Sequence, residues 1–262
     1  DGVSYDHVFH YQLYGARTLR AFWSPSVSLE MFKKTVPIDY AELQDRCVKI
    51  KAILDKAVSV RVTNPNGTDL RIGLAGRSAK SDDGDYSVAG SGGNLPAGEV
   101  FISPELGTAA GSLVFDGSIA STTGDILIRE PIRCAVEGGF VTRVEGGSEA
   151  RELQKALEAG SEGAMRMASN GELSADKAET YARNARALGE LGIGLNPAAE
   201  VVGNMLEDEK AFRTCHIAIG SNYDEDGPAL IHLDGLISRP TIVAIMADGK
   251  ETVIERGGEL LV

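Results

Sequence analysis

Short β-prone runs follow one another along this 262-residue chain with little helix between them, and that order leaves few folds open. "SVRVTNPNGTDLRIGL" places two alternating runs around Pro65-Asn66-Gly67, the turn chemistry of a hairpin. "EVFIS", "GSLVFDGSIA", "ILIREPIRCAVE", "FVTRVEG", "CHIAIG", "ALIHLDGLI" and a hairpin around Asp248-Gly249 continue the series. Helical periodicity is confined to three places. Asp39 and Glu42 have capping-box spacing ahead of Leu43, Cys47, Ile50 and Leu54. A second helix starts at Ser148 with Leu153 and Leu157, and a third at Ser174 with Ala178, Tyr181, Ala182, Ala185 and Leu188 on one face. Clustered strands predict an α+β fold, a strand-rich mixed sheet with flanking helices, rather than a doubly wound parallel sheet. Residues 1–38, which mix Tyr5, Phe9, Tyr11, Tyr14, Phe22 and Trp23 without a clear period, read as the remnant of an N-terminal region. Residues 39–262 read as the catalytic domain.

The bulk properties remove whole classes of function. Acidic residues outnumber basic ones 38 to 26, giving a net charge of -12 that repels phosphate backbones and argues against a nucleic-acid partner. The sequence shows no apolar run of the ~18 residues a membrane span needs and no signal-peptide pattern, so the expectation is a cytoplasmic protein with no membrane partner. Cys47, Cys134 and Cys215 are widely spaced, with no CxxC pair, and read as buried thiols rather than a disulfide framework or zinc knuckle. The Gly-rich stretch from Gly76 to Val100 lacks both GxxxxGK[ST] and a GxGxxG opening a helix, and reads as a surface loop.

Two of the four histidines lie in apolar strand-like runs. His232 and Asp234 are two apart, so on a strand they project to one face while Ile231, Leu233 and Leu236 are free to fill the core. His216 has Ala218 and Gly220 behind it on its own face, which leaves room for a ligand. Glu209 precedes it by one turn's reach. Glu99 opens "EVFIS" after Pro96 and Gly98, and Glu190 stands just beyond the third helix among glycines and leucines. Carboxylates in apolar surroundings need a cation or strong donors. Glu99, Glu190, Glu209, Asp234, His216 and His232 form a nitrogen-and-oxygen set suited to two divalent ions such as Zn, Co or Mn, with carboxylates able to bridge them. Tyr223 is the candidate for stabilising an oxyanion, with an ordinary half-buried tyrosine the equal alternative.

These segments resemble the aminopeptidase T and aminopeptidase S family, the thermophilic metalloproteases. "NLPAGEVFISP" with "GTAAGSLVFDGSI", then "GELGIGLNP", "DEKAFRTCHIAIG" and "HLD" are similar, in order, to that family's ligand segments, and Tyr223 falls at its tyrosine. The resemblance implies a dinuclear metallo-aminopeptidase that removes N-terminal residues from small peptides as a homodimer. It makes Glu99, Glu190, Glu209, His216, His232 and Asp234 the metal ligands, with Tyr223 and Glu190 catalytic. The interval from Tyr223 to His232 is shorter than in those peptidases and resembles a sister branch, the iron-dependent dioxygenases that open dihydroxypyridine rings. That branch carries other residues at the places of Glu99, Glu190 and His216. The ligand types therefore rank the peptidase first, the mononuclear Fe dioxygenase second, and an idle metal-stabilised binding module third.

Overall fold

A computed structural model describes residues 20–24 and 26–262. The N-terminal aromatics from Tyr5 to Tyr14 lie outside the described residues. The chain runs β1 (Ala21–Trp23), α1 (Leu29–Thr35), α2 (Tyr40–Leu54), β2 (Ala57–Thr63), β3 (Asp69–Gly73), β4 (Lys80–Asp82), β5 (Gly92–Asn94) and β6 (Glu99–Ile102). It continues through β7 (Ala110–Phe115), β8 (Ser118–Ile119), β9 (Ile126–Leu127), β10 (Ile132–Glu137), β11 (Phe140–Glu145), α3 (Ser148–Ser169), α4 (Ala175–Asn184) and β12 (Leu188–Gly194). The last elements are α5 (Met205–Asp208), β13 (Thr214–Gly220), β14 (His232–Ser238), β15 (Thr241–Met246), β16 (Glu251–Arg256) and β17 (Glu259–Leu260).

Local chemistry sets several of these elements. Asp39 caps α2 by accepting from the Glu42 amide at 3.1 Å, and the buried side of that helix is Leu43, Cys47, Ile50 and Leu54. β2 and β3 form the expected hairpin across the Asn66-Gly67 turn. The third helix differs from expectation: it ends at Asn184, and Leu188 already belongs to β12. Pairing on both sides of β12 outweighs the helical periodicity of Ala185 and Leu188. Glu190 is consequently a strand residue. The Gly-rich stretch is more ordered than a plain loop, because it contributes β4 and β5.

The architecture is α+β. Strands β11-β10-β7-β3-β2-β15-β16-β17 make an eight-stranded sheet and β4-β6-β12-β13-β14-β8-β9 a seven-stranded one, each built from antiparallel pairs. β1 pairs in parallel with β5, and Asn196 Nδ2 donates to the Thr35 carbonyl at 2.9 Å, so β1 and α1 are tied to the rest of the described chain. One apolar core joins the two sheets, with Val60, Ile72 and Phe115 from the first and Leu191, Ile193, Ile217, Ile219 and Ile237 from the second. All three cysteines are free and buried in this core region. Burying a Leu or Ile contributes roughly 1.5–3 kcal/mol, and this apolar face offsets the cost of the charged groups on the opposite face. That opposite face, carried by the alternate residues of β12, β13 and β14, is where the chemistry lies.

Candidate metal centre

Register alone brings most of the chemistry together. Asp82 pairs with Glu99, Gly192 with His216, Ala218 with Asp234, and Gly220 with His232 across three strand pairs of one sheet. Residues paired directly share a face, so Asp82, Glu99, Glu190, His216, His232 and Asp234 form one polar strip. Glycine opens it at the centre. A Cβ on Gly192 would stand 2.0 Å from His216 Nε2, so the imidazole lies in the space a side chain would fill.

Within the strip His216 Nε2 is 3.0 Å from Glu190 Oε1 and 3.4 Å from Glu99 Oε2. His232 Nε2 is 3.7 Å from Glu190 Oε2 and 3.4 Å from Asp234 Oδ1. The other ring nitrogen of His232, Nδ1, lies 2.8 Å from the Ser221 carbonyl; donating there makes Nε2 the nitrogen that faces the carboxylates and is available to a metal once its proton leaves. Glu209, just past α5, completes the set: ligand atoms of Glu209, His216 and Asp234 lie within 4.8 Å of one another, as do those of Glu99, Glu190 and His216. The structure thus brings all six predicted ligand residues to one place.

Burial makes the cluster expensive without a cation. Glu99 Oε2, Glu190 Oε2, Asp234 Oδ1 and His216 Nδ1 are buried with no hydrogen-bond partner. Burial pushes the Glu190 carboxyl above its ordinary range against the pull of His216 and His232, and Glu209 rises to about 8 for the same first reason, opposed by Lys210. The imidazoles move the other way. Burial disfavours charging them, yet the Glu190 hydrogen bond and the fields of Glu99 and Asp234 lift His216 to about 9. Asp234 and Glu190 lift His232 to about 10. Asp234, despite burial, falls to about 2 beside His232 and His216. The metal-free cluster therefore holds protons on both imidazoles to balance its carboxylates, and a divalent ion binding there displaces them. Two imidazoles and several carboxylates with orphaned buried oxygens fit a divalent transition metal. Among the described residues the protein carries a metal-capable cluster.

Tyr223 lies beside the cluster, its ring 5.2 Å from that of His232 and 5.3 Å from that of Phe101 in edge-on contacts. Its loop is fastened by Lys80, whose Nζ donates to the Tyr223 carbonyl at 2.7 Å, and by Arg77 on Asp226 at 2.8 Å. Tyr223 is 45% exposed as a residue, whereas His216 is fully buried, so the cluster opens to solvent on its Tyr223 and His232 side. A surface cavity lined by Phe140, Arg143, Arg183 and Arg186 shares no residue with this strip, and the donor groups rather than void size locate the chemistry.

Two members of the strip were not foreseen. Lys210 is fully buried, with Nζ 2.5 Å from Glu99 Oε1 and 2.6 Å from Glu209 Oε1. Asp82 lies 3.7 Å from the same ammonium, and burial lifts its carboxyl to about 7. In sequence, Lys210 closes the run "EDEK" and reads as a solvated charge, and Asp82 sits in the Gly-rich stretch. The available signal was position: Lys210 stands four residues before the buried strand β13.

The fold is shared with two solved structures. The 2,5-dihydroxypyridine dioxygenase of Pseudomonas putida matches with a TM-score of 0.71 at 20% identity, covering 93% of this chain and 66% of that one. Wild-type AmpT from Thermus thermophilus matches with a TM-score of 0.64 at 23% identity, covering 87% and 57%. At these identities both speak to fold alone. Sequence separates the branches. A 2,5-dihydroxypyridine 5,6-dioxygenase of Pseudomonas putida is 30% identical over 146 residues, which is 53% of this chain and 38% of that protein. The chain thus spans well under two thirds of this curated relative. The family profile of NicX, 2,5-dihydroxypyridine 5,6-dioxygenase, matches residues 10–218.

These matches overturn the aminopeptidase reading and, with it, the hydrolase class expected from the ligand motifs. The physical reason is that both branches share one scaffold, and imidazoles and carboxylates converging on it mark a metal-capable cluster without identifying the reaction. On the family profile covering most of its length, this chain belongs to the 2,5-dihydroxypyridine 5,6-dioxygenase family.

Proposed function

We propose that the chain carries the iron(II) centre of a ring-cleaving dioxygenase acting on a dihydroxylated pyridine. The observation that carries this reading is the buried strip of two imidazoles and unpartnered carboxylate oxygens in a chain of this family. Glu190, His216, His232 and Asp234 are the assigned ligands, a set of the histidine-and-carboxylate type that non-haem iron oxygenases use. Iron(II), when bound, supplies the one-electron chemistry that lets dioxygen react with an aromatic ring. Both oxygen atoms end in the opened product, so no external reductant is needed.

The chain's own residues supply orientation. The Ser221 carbonyl holds His232 in the tautomer that offers Nε2. Asp234, whose carboxyl the neighbouring imidazoles hold below its ordinary range against burial, can balance the ion's charge or accept from a ring hydroxyl. Tyr223 and Phe101 present an aromatic wall on the open side, against which a planar ring can lie edge-on or offset. Lys80 and Arg77 keep that wall in place through the loop that carries it.

The test is direct. Protein reconstituted with iron(II) under anaerobic conditions and mixed with 2,5-dihydroxypyridine and oxygenated buffer is expected to consume oxygen and ring in equal amounts. Folded, iron-loaded protein that leaves both untouched refutes the assignment.

A further inference from the structure

Six candidate ligands suggest two ions, yet the chain has placed a cation of its own among them. Lys210 Nζ lies between Glu99 Oε1 and Glu209 Oε1 at 2.5 and 2.6 Å, with Asp82 Oδ2 at 3.7 Å, and the side chain is wholly buried. We propose that the Lys210 ammonium is the resident cation of the Glu99 and Glu209 half of the cluster, so that the site takes a single metal ion on Glu190, His216, His232 and Asp234. This deepens the iron reading above and rests on its choice of ligands.

Three observations carry it. Each three-residue group whose atoms could close on an ion, Glu99-Glu190-His216 and Glu209-His216-Asp234, includes one glutamate already bonded to Lys210. With those two glutamates set aside, what remains is one set around Glu190, whose two oxygens face His216 and His232. Of the cluster's three unpartnered buried carboxylate oxygens, two, on Glu190 and Asp234, belong to that set. The third, Glu99 Oε2, shares its carboxylate with the lysine, and a dication there would be repelled by the ammonium on the other oxygen.

The lysine is also fixed from behind. Its carbonyl accepts from the Asn196 amide at 2.9 Å and its amide donates to Glu207 at 3.0 Å. Asn196 itself is held by the Thr35 and Ala97 carbonyls at 2.9 and 2.8 Å, which anchors the segment from two other parts of the chain. The Asp208 carboxylate takes amides from Val202 and Gly203 and the Ser118 hydroxyl, which locks the short helix that leads into Lys210. The ammonium is thus held at its head by Glu99 and Glu209 and at its base by an anchored backbone.

Ion counting tests this independently of turnover. Protein stripped by chelator, loaded anaerobically with excess cobalt(II) or iron(II), desalted and analysed for metal is expected to hold one ion per chain. Lys210→Gln, which frees both glutamates, is expected to hold two. Two ions in the unsubstituted protein, or one in a folded Lys210→Gln, overturns the proposal. Should Lys210→Gln fail to fold, Glu209→Gln decides: Lys210 keeps Glu99 and Asp82 as partners, and the count must stay at one. A count that falls marks Glu209 as a ligand and overturns it. A single ion bound without oxygen uptake from the iron form removes the ring-cleavage reading and leaves this one standing.

Discussion

Gly192→Ala separates the fold from the site more cleanly than any ligand substitution. The added methyl would lie 2.0 Å from His216 Nε2, 2.1 Å from Cε1 and 2.9 Å from Cδ2. Carbon–nitrogen contacts settle near ~3.5 Å, so the imidazole must retreat by roughly 1.5 Å. Metal–nitrogen bonds are about 2.0–2.1 Å, and a ligand displaced that far no longer coordinates. The fold bears the change better. Gly192 has ordinary strand geometry, where Ala is favoured over Gly by about 0.5–1 kcal/mol, against roughly 1–3 kcal/mol for crowding. The net is a loss of about 0–2.5 kcal/mol, or a Tm lower by up to ~10 °C at this chain length. Metal affinity, by contrast, should fall by at least ~100-fold, beyond the range seen when only a supporting residue is lost. Thermal melting gives the first quantity and competition with a chromophoric chelator the second. A folded Gly192→Ala protein with undiminished metal affinity would refute the placement of His216 in the site.

Other perturbations follow the same geometry. Glu255 is fully buried with both carboxylate oxygens unpartnered, and burial, then Glu259, raises it from 4.5 to about 8. Its folded form keeps a proton that the unfolded chain releases, so stability falls as pH rises from about 4.5 to 8; Glu255→Gln should flatten that slope in pH-dependent melts and stabilise the protein at pH 8, with a ceiling of ~5 kcal/mol. Saturating iron(II) or cobalt(II) at a hundred times Kd should add about 2.7 kcal/mol, raising Tm by roughly 5–10 °C in the unsubstituted protein and not in Asp234→Asn. Asp208→Ala strands the amides of Val202 and Gly203 and the Ser118 hydroxyl, and should cost about 3–5 kcal/mol by denaturant titration.

What the sequence made legible was local. The Asp39 cap, the Asn66-Gly67 hairpin and the i, i+2 pairing of His232 with Asp234 each depend on residues within a few positions, and each appears as read. Glu190 was placed beyond a helix because Ala185 and Leu188 extend a helical period; partners more than a hundred positions apart in sequence, from Ile102 to Ile219, make that stretch a strand. Lys210 was illegible for a related reason. A lysine after three acidic residues has the pattern of solvated charge, and only the tertiary fold shows it enclosed. The reaction was misassigned because a cluster of imidazoles and carboxylates specifies metal binding and not a reaction on a fold that two branches share, whereas the short interval from Tyr223 to His232 resembled the ring-cleaving branch.

The central claim is that this polar strip holds iron that delivers dioxygen to an aromatic ring. Oxygen-electrode traces with the iron(II)-loaded chain and 2,5-dihydroxypyridine address it most directly. One oxygen consumed per ring opened, abolished in His232→Ala, is the predicted result. Iron bound to a folded protein with no oxygen uptake above the His232→Ala baseline contradicts it.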